Sequence, residues 1–295
     1  MSESSINYAS KFSDIVDERF SIGCVTETAV NKDYDFTGVN TVSVYSSDVA
    51  PLNNYIRTNT GNRYGTPVEL GNAKQELELK QDKSFTFTID RGNYDDTMMA
   101  NSAGKALERE VMEVLTPAVD KYRLSVMAKN AGISVEIPAS SLVAGAYLHY
   151  LEVSKQLTEA RVPLGERIVF MTPDYYQHLL TDTHYTGTAD AAAALAQNGA
   201  ANYICGASIK VIPSDYLPKN TNFLITHPCA TVSPIKLSEY KIHDKPQGLS
   251  GWLIEGRVFY DAFVLNNKKK AIAISKKIEE TGEDNTSESG TESGT

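Results

Sequence analysis

At 295 residues the chain has room for one large domain or two ordinary ones, with a substantial buried core. Its 41% apolar and 22% charged residues are the balance of a folded globular protein, and no run approaches the roughly 18 apolar residues of a membrane helix. The formal charge of −9 is uneven: residues 279–295 hold six acids and no Lys or Arg, leaving −9 − (−6) = −3 for residues 1–278, which argues against a protein built to grip nucleic acid.

The opening stretch MSESSINYASKFSDIVDERF has neither the basic nor the apolar region of a secretory signal. Ala9, Phe12, Val16 and Phe20 fall at helical spacing and predict a short amphipathic arm. TVSVY (41–45) reads as a strand. It is followed by a long Asn-, Gly-, Thr- and Pro-rich connection that carries Tyr55, Arg57, Arg63 and Tyr64 instead of a solvating mixture. Residues 75–93, QELELKQDKSFTFTIDRGN, then alternate apolar and polar side chains. Leu77, Leu79, Phe85, Phe87 and Ile89 share one face, so the segment predicts one long ribbon with a greasy side that something must cover.

After Gly92 the period changes. Asp95 or Asp96 suits a helix N-cap, and Leu107, Val111, Val114, Leu115, Ala118 and Tyr122 form an apolar stripe on a helix running to about Asn130. Pro117 predicts a bend in it, or two helices meeting there, and Gly132 suits its end. Residues 140–234 read as an α/β unit. A helix fills 140–161, ERIVFMT is a buried strand, Thr172 caps a helix with Pro173 in its first turn, and DAAAALAQNG forms a short helix. SIKVIPS and NFLITH follow as strands. From Ile235 the chain leaves this unit as strands separated by the turn NNKK, and the Glu-, Ser- and Gly-rich end is compositionally disordered.

Chemistry finds no foothold. The five histidines lack zinc spacing, HPC (227–229) included, and surface or satisfied core histidines account for them better. There is no G-x-S-x-G, and GLSGWLIEG leads into a strand without the Lys-Ser/Thr of a phosphate loop. Asp95-Asp96 fits helix capping better than acid/base work. Cys24, Cys205 and Cys229 are odd in number and far apart, which speaks against a disulfide framework and for a reducing compartment. Cys205 and Cys229 read as inert core thiols. The sequence thus offers no catalytic residue, metal ligand or cofactor site. Sixteen tyrosines against nine phenylalanines, many near turns, point to interfaces instead, although core caps explain part of that excess.

The segments NNYIRTNTGNRYGTPVELGN, QDKSFTFTIDRGN and GWLIEGRVFYDAFVLNNKKKAI resemble major capsid proteins of tailed bacteriophages, the HK-ninety-seven-type α+β fold, over roughly residues 1–276. The resemblance implies an N-terminal arm (1–35), an extended β-hairpin loop (36–92), a peripheral-domain spine helix (93–139), an axial domain (140–234), peripheral-domain return strands (235–276) and an acidic tail (277–295). It implies a non-enzymatic subunit that assembles through pentamers and hexamers into an icosahedral shell around double-stranded DNA, in the virion, after assembly in the host cytoplasm. Its partners would be its own copies, a separate scaffolding protein (the chain opens directly on the arm) and the portal, with no cofactor, no sequence-specific DNA contact and no membrane. Tyr55, Arg57, Arg63, Tyr64, Leu77, Leu79, Phe85 and Phe87 are the expected inter-subunit contacts. Some relatives join a loop Lys to a neighbour's Asn covalently; Lys74, Lys80, Lys83, Asn266 and Asn267 are present, but nothing in the sequence brings them together. The alternatives are an encapsulin-like nanocompartment shell and, more distantly, an α/β enzyme.

Overall fold

The computed structural model describes residues 24–31, 33–34, 41–47, 49–58, 61–92, 103–187 and 202–278. The expected arm helix, the Asp95/Asp96 cap, the DAAAALAQNG helix and the acidic tail lie outside them.

Strand β1 (Thr41–Ser47) pairs antiparallel with β2 (Asn72–Glu78) as a two-stranded ribbon, Val42 opposite Leu77 and Tyr45 opposite Lys74. The expected continuous ribbon strand ends there. After Leu79 and Lys80 the chain changes partners, and β3 (Gln81–Asp90) joins a different sheet. The cause is Asp261, whose buried carboxylate accepts the Lys80 amide at 2.8 Å. A backbone donor turned toward a side chain leaves the β1–β2 ladder, so one alternating segment serves two sheets.

The spine is helical from Ala103 to Lys129 but not uniformly so. Helix α1 (Ala103–Glu110) passes through a π-helical turn (Val111–Leu115) into α2 (Thr116–Lys129). Pro117 therefore neither breaks nor separates the helix, because the wide turn before it absorbs the missing donor and the Thr116 hydroxyl bonds Val111 O at 3.0 Å. The extra residue in that turn also rotates everything beyond it. The expected stripe is kept only in part: Leu115 and Tyr122 pack on Val119, Val258 and Tyr260, but Val114 and Ala118 are exposed, and Val119, Asp120, Arg123, Leu124 and Met127 form the buried side.

Strand β4 (Ile133–Pro138) leads into α3 (Ala139–Glu159), which is kinked at Gly145. Next come β5 (Ile168–Met171), α4 (Pro173–Thr181) with Thr172 as its cap, and α5 (Thr183–Thr186). Strands β6 (Tyr203–Ile204), β7 (Ala207–Val211) and β8 (Thr221–Thr226) follow. Then β9 (Thr231–Val232), β10 (Ile235–Asp244), β11 (Gly251–Tyr260), β12 (Phe263–Val264) and β13 (Ile272–Ile278) complete the chain as described.

The main sheet has the order β4-β13-β8-β5-β7-β6. Two of its strands come from outside residues 140–234: β13 lies parallel to β4 and antiparallel to β8, with Ala273 opposite both Ile133 and Ile225. The α/β unit is thus not closed on itself. Strand β5 and the Phe223–Ile225 centre of β8 are apolar on both faces because both faces are covered. Val169, Met171, Phe223 and Ile225 meet α3 and α4 through Tyr150, Leu157 and Leu179. Phe170 and Leu224, on the other face, meet Leu124 and Met127 of α2.

A second sheet, β10-β11-β3, is antiparallel throughout. Val258 and Tyr260 of β11 pack on Val119 and Tyr122 of α2, the two tyrosine rings edge to face at 5.8 Å. The spine helix therefore lies between the two sheets and belongs to both cores.

Candidate assembly surfaces

Three surfaces follow from this frame. The first is the ribbon between β1 and β2. Its root is clamped to the body: Gln75 accepts the Asn266 amide at 2.9 Å and donates to Val264 O at 3.1 Å, while Leu77 and Leu79, 1% and 5% exposed, pack on Val232 and Leu265. The burial of these two leucines is accounted for within the chain, which corrects the expectation that a neighbour covers them. Sequence alternation shows that a residue faces inward, but not whose interior it faces.

Beyond the root the ribbon has no cover. Val49 and Leu52 are 91% and 102% exposed and Tyr64 is 80% exposed, with Arg57 and Arg63 also at the surface. This tip is nevertheless ordered. The Ile56 amide bonds Arg63 O at 3.0 Å, the Tyr55 and Tyr64 rings meet edge to face at 5.1 Å, and Gly65 turns at φ 89°. A Cβ on Gly65 would sit 2.8 Å from the Asn53 side chain, so the turn demands glycine twice over. Aromatic and apolar side chains held rigidly in solvent are the ordinary constitution of a docking surface.

The second surface is the β10-β11-β3 sheet. Phe85 and Phe87 stack at 6.3 Å, half-buried, and Phe85 lies over Gly256 to reach Tyr240 at 6.1 Å. These two predicted contacts are therefore partly covered by their own sheet. The opposite face is polar: Arg257 grips Asp82 through two bonds of 3.0 and 2.6 Å, and His243 approaches Glu255 at 3.2 Å. The Asp82 carboxyl is held below its usual range by the Arg257 hydrogen bond.

The third is the seam where residues 24–29 dock on α2. Asp120, fully buried, accepts the amides of Val25 and Thr26 at 2.9 and 3.3 Å and the Thr26 hydroxyl at 2.5 Å. Arg123, 1% exposed, donates to Ser233 Oγ at 2.8 Å, Thr26 Oγ1 at 3.1 Å and Glu27 at 3.2 Å. Cys24 Sγ lies 3.2 Å from Asp120, and burial, then that carboxylate, push its thiol pKa up, away from reactivity. Sequence reasoning missed this seam. The available signal was an Asp and an Arg three apart in a helix whose neighbours are apolar.

Asp261 is the joint of the whole. Besides the Lys80 amide it accepts the Tyr122 hydroxyl at 2.7 Å and the Ala262 amide at 2.7 Å. Burial, then the bond to Asp261, push the Tyr122 phenol up to about 12. Lys74 pairs with Glu76 and Lys80 with Glu78, so two of the lysines considered for covalent linkage are in ion pairs with ribbon carboxylates. Cys205, expected in the core, is exposed: its φ of 47° and that of Gly206 at 80° turn the β6–β7 hairpin and lift the thiol outward. Among the described residues no group of three or more His, Cys, Asp or Glu could hold a metal ion, and no helix is long and apolar enough to cross a membrane.

No protein-family model matches this sequence, and no curated protein does either. Solved structures do. A chain from Mycobacterium phage Che8 superposes at a TM-score of 0.72 with 19% identity, covering 91% of this chain and 97% of that one. The capsid structure of the cyanophage P-SCSP1u gives 0.72 at 12% identity, over 92% and 94%. The capsid of the myovirus XM1 gives 0.64 at 11%, over 94% and 100%. At such identities the likeness is one of fold, and it spans nearly the full length on both sides. The chain has the α+β fold of phage capsid subunits.

Proposed function

We propose that this protein is the major capsid protein of a tailed phage, a structural subunit that assembles into the icosahedral head shell around double-stranded DNA. The observation that carries the reading is the ribbon tip, ordered yet uncovered, on a body whose fold is that of phage capsids. A neighbour of the same kind supplies the missing cover: the tip of one copy lies on the next, a head-to-tail contact that closes into pentamers and hexamers where the rotation allows. Tyr55, Arg57, Arg63 and Tyr64 are the residues assigned to that contact, with Phe85 and Phe87 contributing their exposed edges. Many modest interfaces summed over a closed shell hold far better than any one of them.

The remaining assignments follow from this reading. Residues 36–92 act as the extended loop, whose last strand β3 returns into the peripheral sheet beside β11, 93–139 with 235–276 as the peripheral domain and 140–234 as the axial domain, with the sheet sharing of β4 and β13 described above. The net charge of −3 over residues 1–278 suits a container that releases DNA more than one that binds it. A separate scaffolding protein and a portal complete the set of partners, with assembly in the host cytoplasm. The solved structures it resembles are phage capsids, which favours a genome shell over an encapsulin-like compartment.

The test removes residues 53–72. Clipped protein should remain folded, because both sheets and the spine lie outside the deleted segment, and should form no particles by negative-stain microscopy. Normal particles from the clipped chain would refute the assignment of the tip.

A further inference from the structure

The β10-β11-β3 sheet ends in an open edge. Among the described residues no strand pairs with the outer side of β10, and Glu239 to Asp244 are all exposed. Ten residues is long for an edge strand, and its outward amides and carbonyls are a template on which another strand can add. The side chains say which strand. On the polar face Glu239 and Lys241 stand opposite Arg257 and Glu255. On the other face Tyr240 lies opposite Gly256, 6.1 Å from the Phe85 ring, and is 37% exposed, while Ile242 is 45% exposed.

A two-fold axis perpendicular to the sheet beside Tyr240 sets a second β10 antiparallel to the first. Each residue then faces the one equally far from position 240 on the other strand. Glu239 meets Lys241 of the second copy, Lys241 meets its Glu239, and the two Tyr240 rings meet each other, with each Ile242 diagonal to the other Tyr240. A step of one residue either way sets Glu239 on Glu239 or Lys241 on Lys241. The opposite edge, β3, has no such register. Its acids Asp82 and Asp90 lie on the other face from its one cation, Lys83, and two-fold antiparallel pairing sets only like faces opposite.

We propose that β10 pairs antiparallel with β10 of a second copy about Tyr240, joining two three-stranded sheets into one sheet of six strands. Backbone hydrogen bonds hold the pair, the crossed Glu239 and Lys241 charges fix its register, and Tyr240 and Ile242 gain the cover they lack. The contact is isologous, so it is separate from the head-to-tail seat of the ribbon tip and does not rest on it. Neighbours within a closed pentamer or hexamer ring are not related by a two-fold axis, so in a shell this contact joins subunits of different rings.

Disulfide trapping in the full chain tests the register, with the links mapped by mass spectrometry. Opposed residues of an antiparallel pair have Cα atoms about 4.5–5.5 Å apart, inside the disulfide range. Tyr240→Cys should therefore link two copies through position 240, and Glu239→Cys, two residues out of register with itself, should not. The double change Glu239→Cys and Lys241→Cys keeps the Tyr240 ring and should link position 239 of one copy to 241 of the other. In the Tyr240→Cys chain, adding Lys241→Glu should lower the yield about fivefold to tenfold, and adding Glu239→Lys as well should restore it. Both charge effects should fade near about 0.5 M salt. Absence of both the 240–240 and the 239–241 links overturns the proposal, as does Glu239→Cys linking as readily as Tyr240→Cys. So does a segment 239–244 whose amides resist hydrogen exchange in the assembled chain without either link, since another strand would then occupy the edge.

Discussion

At the scale of single residues the decisive group is Asp120. A carboxylate with no exposure is costly unless its acceptors are used, and here two backbone amides and a hydroxyl use them. Asp120→Ala strands the Val25 and Thr26 amides in a dry seam and leaves the Arg123 guanidinium to be balanced by Glu27 alone. Each stranded donor costs roughly 1–3 kcal/mol, so a loss of about 3 kcal/mol is expected in urea unfolding of the tip-clipped protomer. Glu27→Gln is the contrast. The Glu27 side chain is 47% exposed, and an ion pair half in water contributes less than about 1 kcal/mol. Proteolysis should release the segment before Val30 from the Asp120 variant and not from the Glu27 variant; equal behaviour of the two would show that the seam does not hold the arm.

At the scale of elements, the β10-β11-β3 sheet makes its own argument through Gly256. With no side chain there, the Phe85 ring crosses the middle strand toward Tyr240, and a Cβ on Gly256 would lie 2.3 Å from the ring. Gly256→Ala expels the ring, for about 1–3 kcal/mol, as overpacking does. Because the cost runs through one neighbour, Phe85→Ala should cost clearly less in the Gly256→Ala background than alone, and a double-mutant cycle on the clipped protomer measures the difference. Additive effects would mean that the ring and the glycine are unrelated.

The same element shows what was legible in the sequence. Alternation from Leu77 to Ile89 marked the strands and their inward face correctly, as did Thr172-Pro173 the start of α4. The handover between sheets at Lys80 was invisible because Leu77, Leu79, Phe85 and Phe87 share one parity, and its cause, Asp261, lies 181 residues away. The π-helical turn left a Thr-Pro pair as its only trace, and it shifted the stripe predicted beyond it. Pairing of β4 with β13 is set by contacts between residues some 140 apart, which no local pattern encodes. Of the predicted contact residues, the tip was read correctly as exposed and the two leucines were misplaced, because periodicity reports burial without naming the partner.

At the scale of the molecule, the spine helix joins two cores, so the body should unfold as a unit, with little contribution from the exposed tip. Under the proposed function, clipping the tip separates the stability of the body from that of any assembly and makes its pH dependence readable. Two histidines are nearly enclosed. Burial lowers the pKa of His149, whose Nε2 meets Ser275 Oγ at 2.7 Å against the Phe223 ring. Burial also lowers that of His227, whose Nδ1 accepts the Cys229 amide at 3.3 Å and so carries no proton there. Unfolded, both take up protons below about pH 6.5; folded, they resist until lower pH. The unfolded chain then binds more protons than the native one, so stability is fully present above about pH 6.5 and falls as pH drops through the depressed native values. Asp182 acts in the same direction further into acid. Burial alone would raise its pKa, but the amides of Tyr147 and His184 and the His184 ring hold it below the usual carboxylate value, and its protonation releases α3 from α5. The melting temperature of the clipped protomer should therefore decline between about pH 7 and about pH 5, and His149→Asn should flatten that decline at a cost in stability near neutrality. A melting temperature that holds constant across the interval would mean that neither imidazole is kept neutral by the fold.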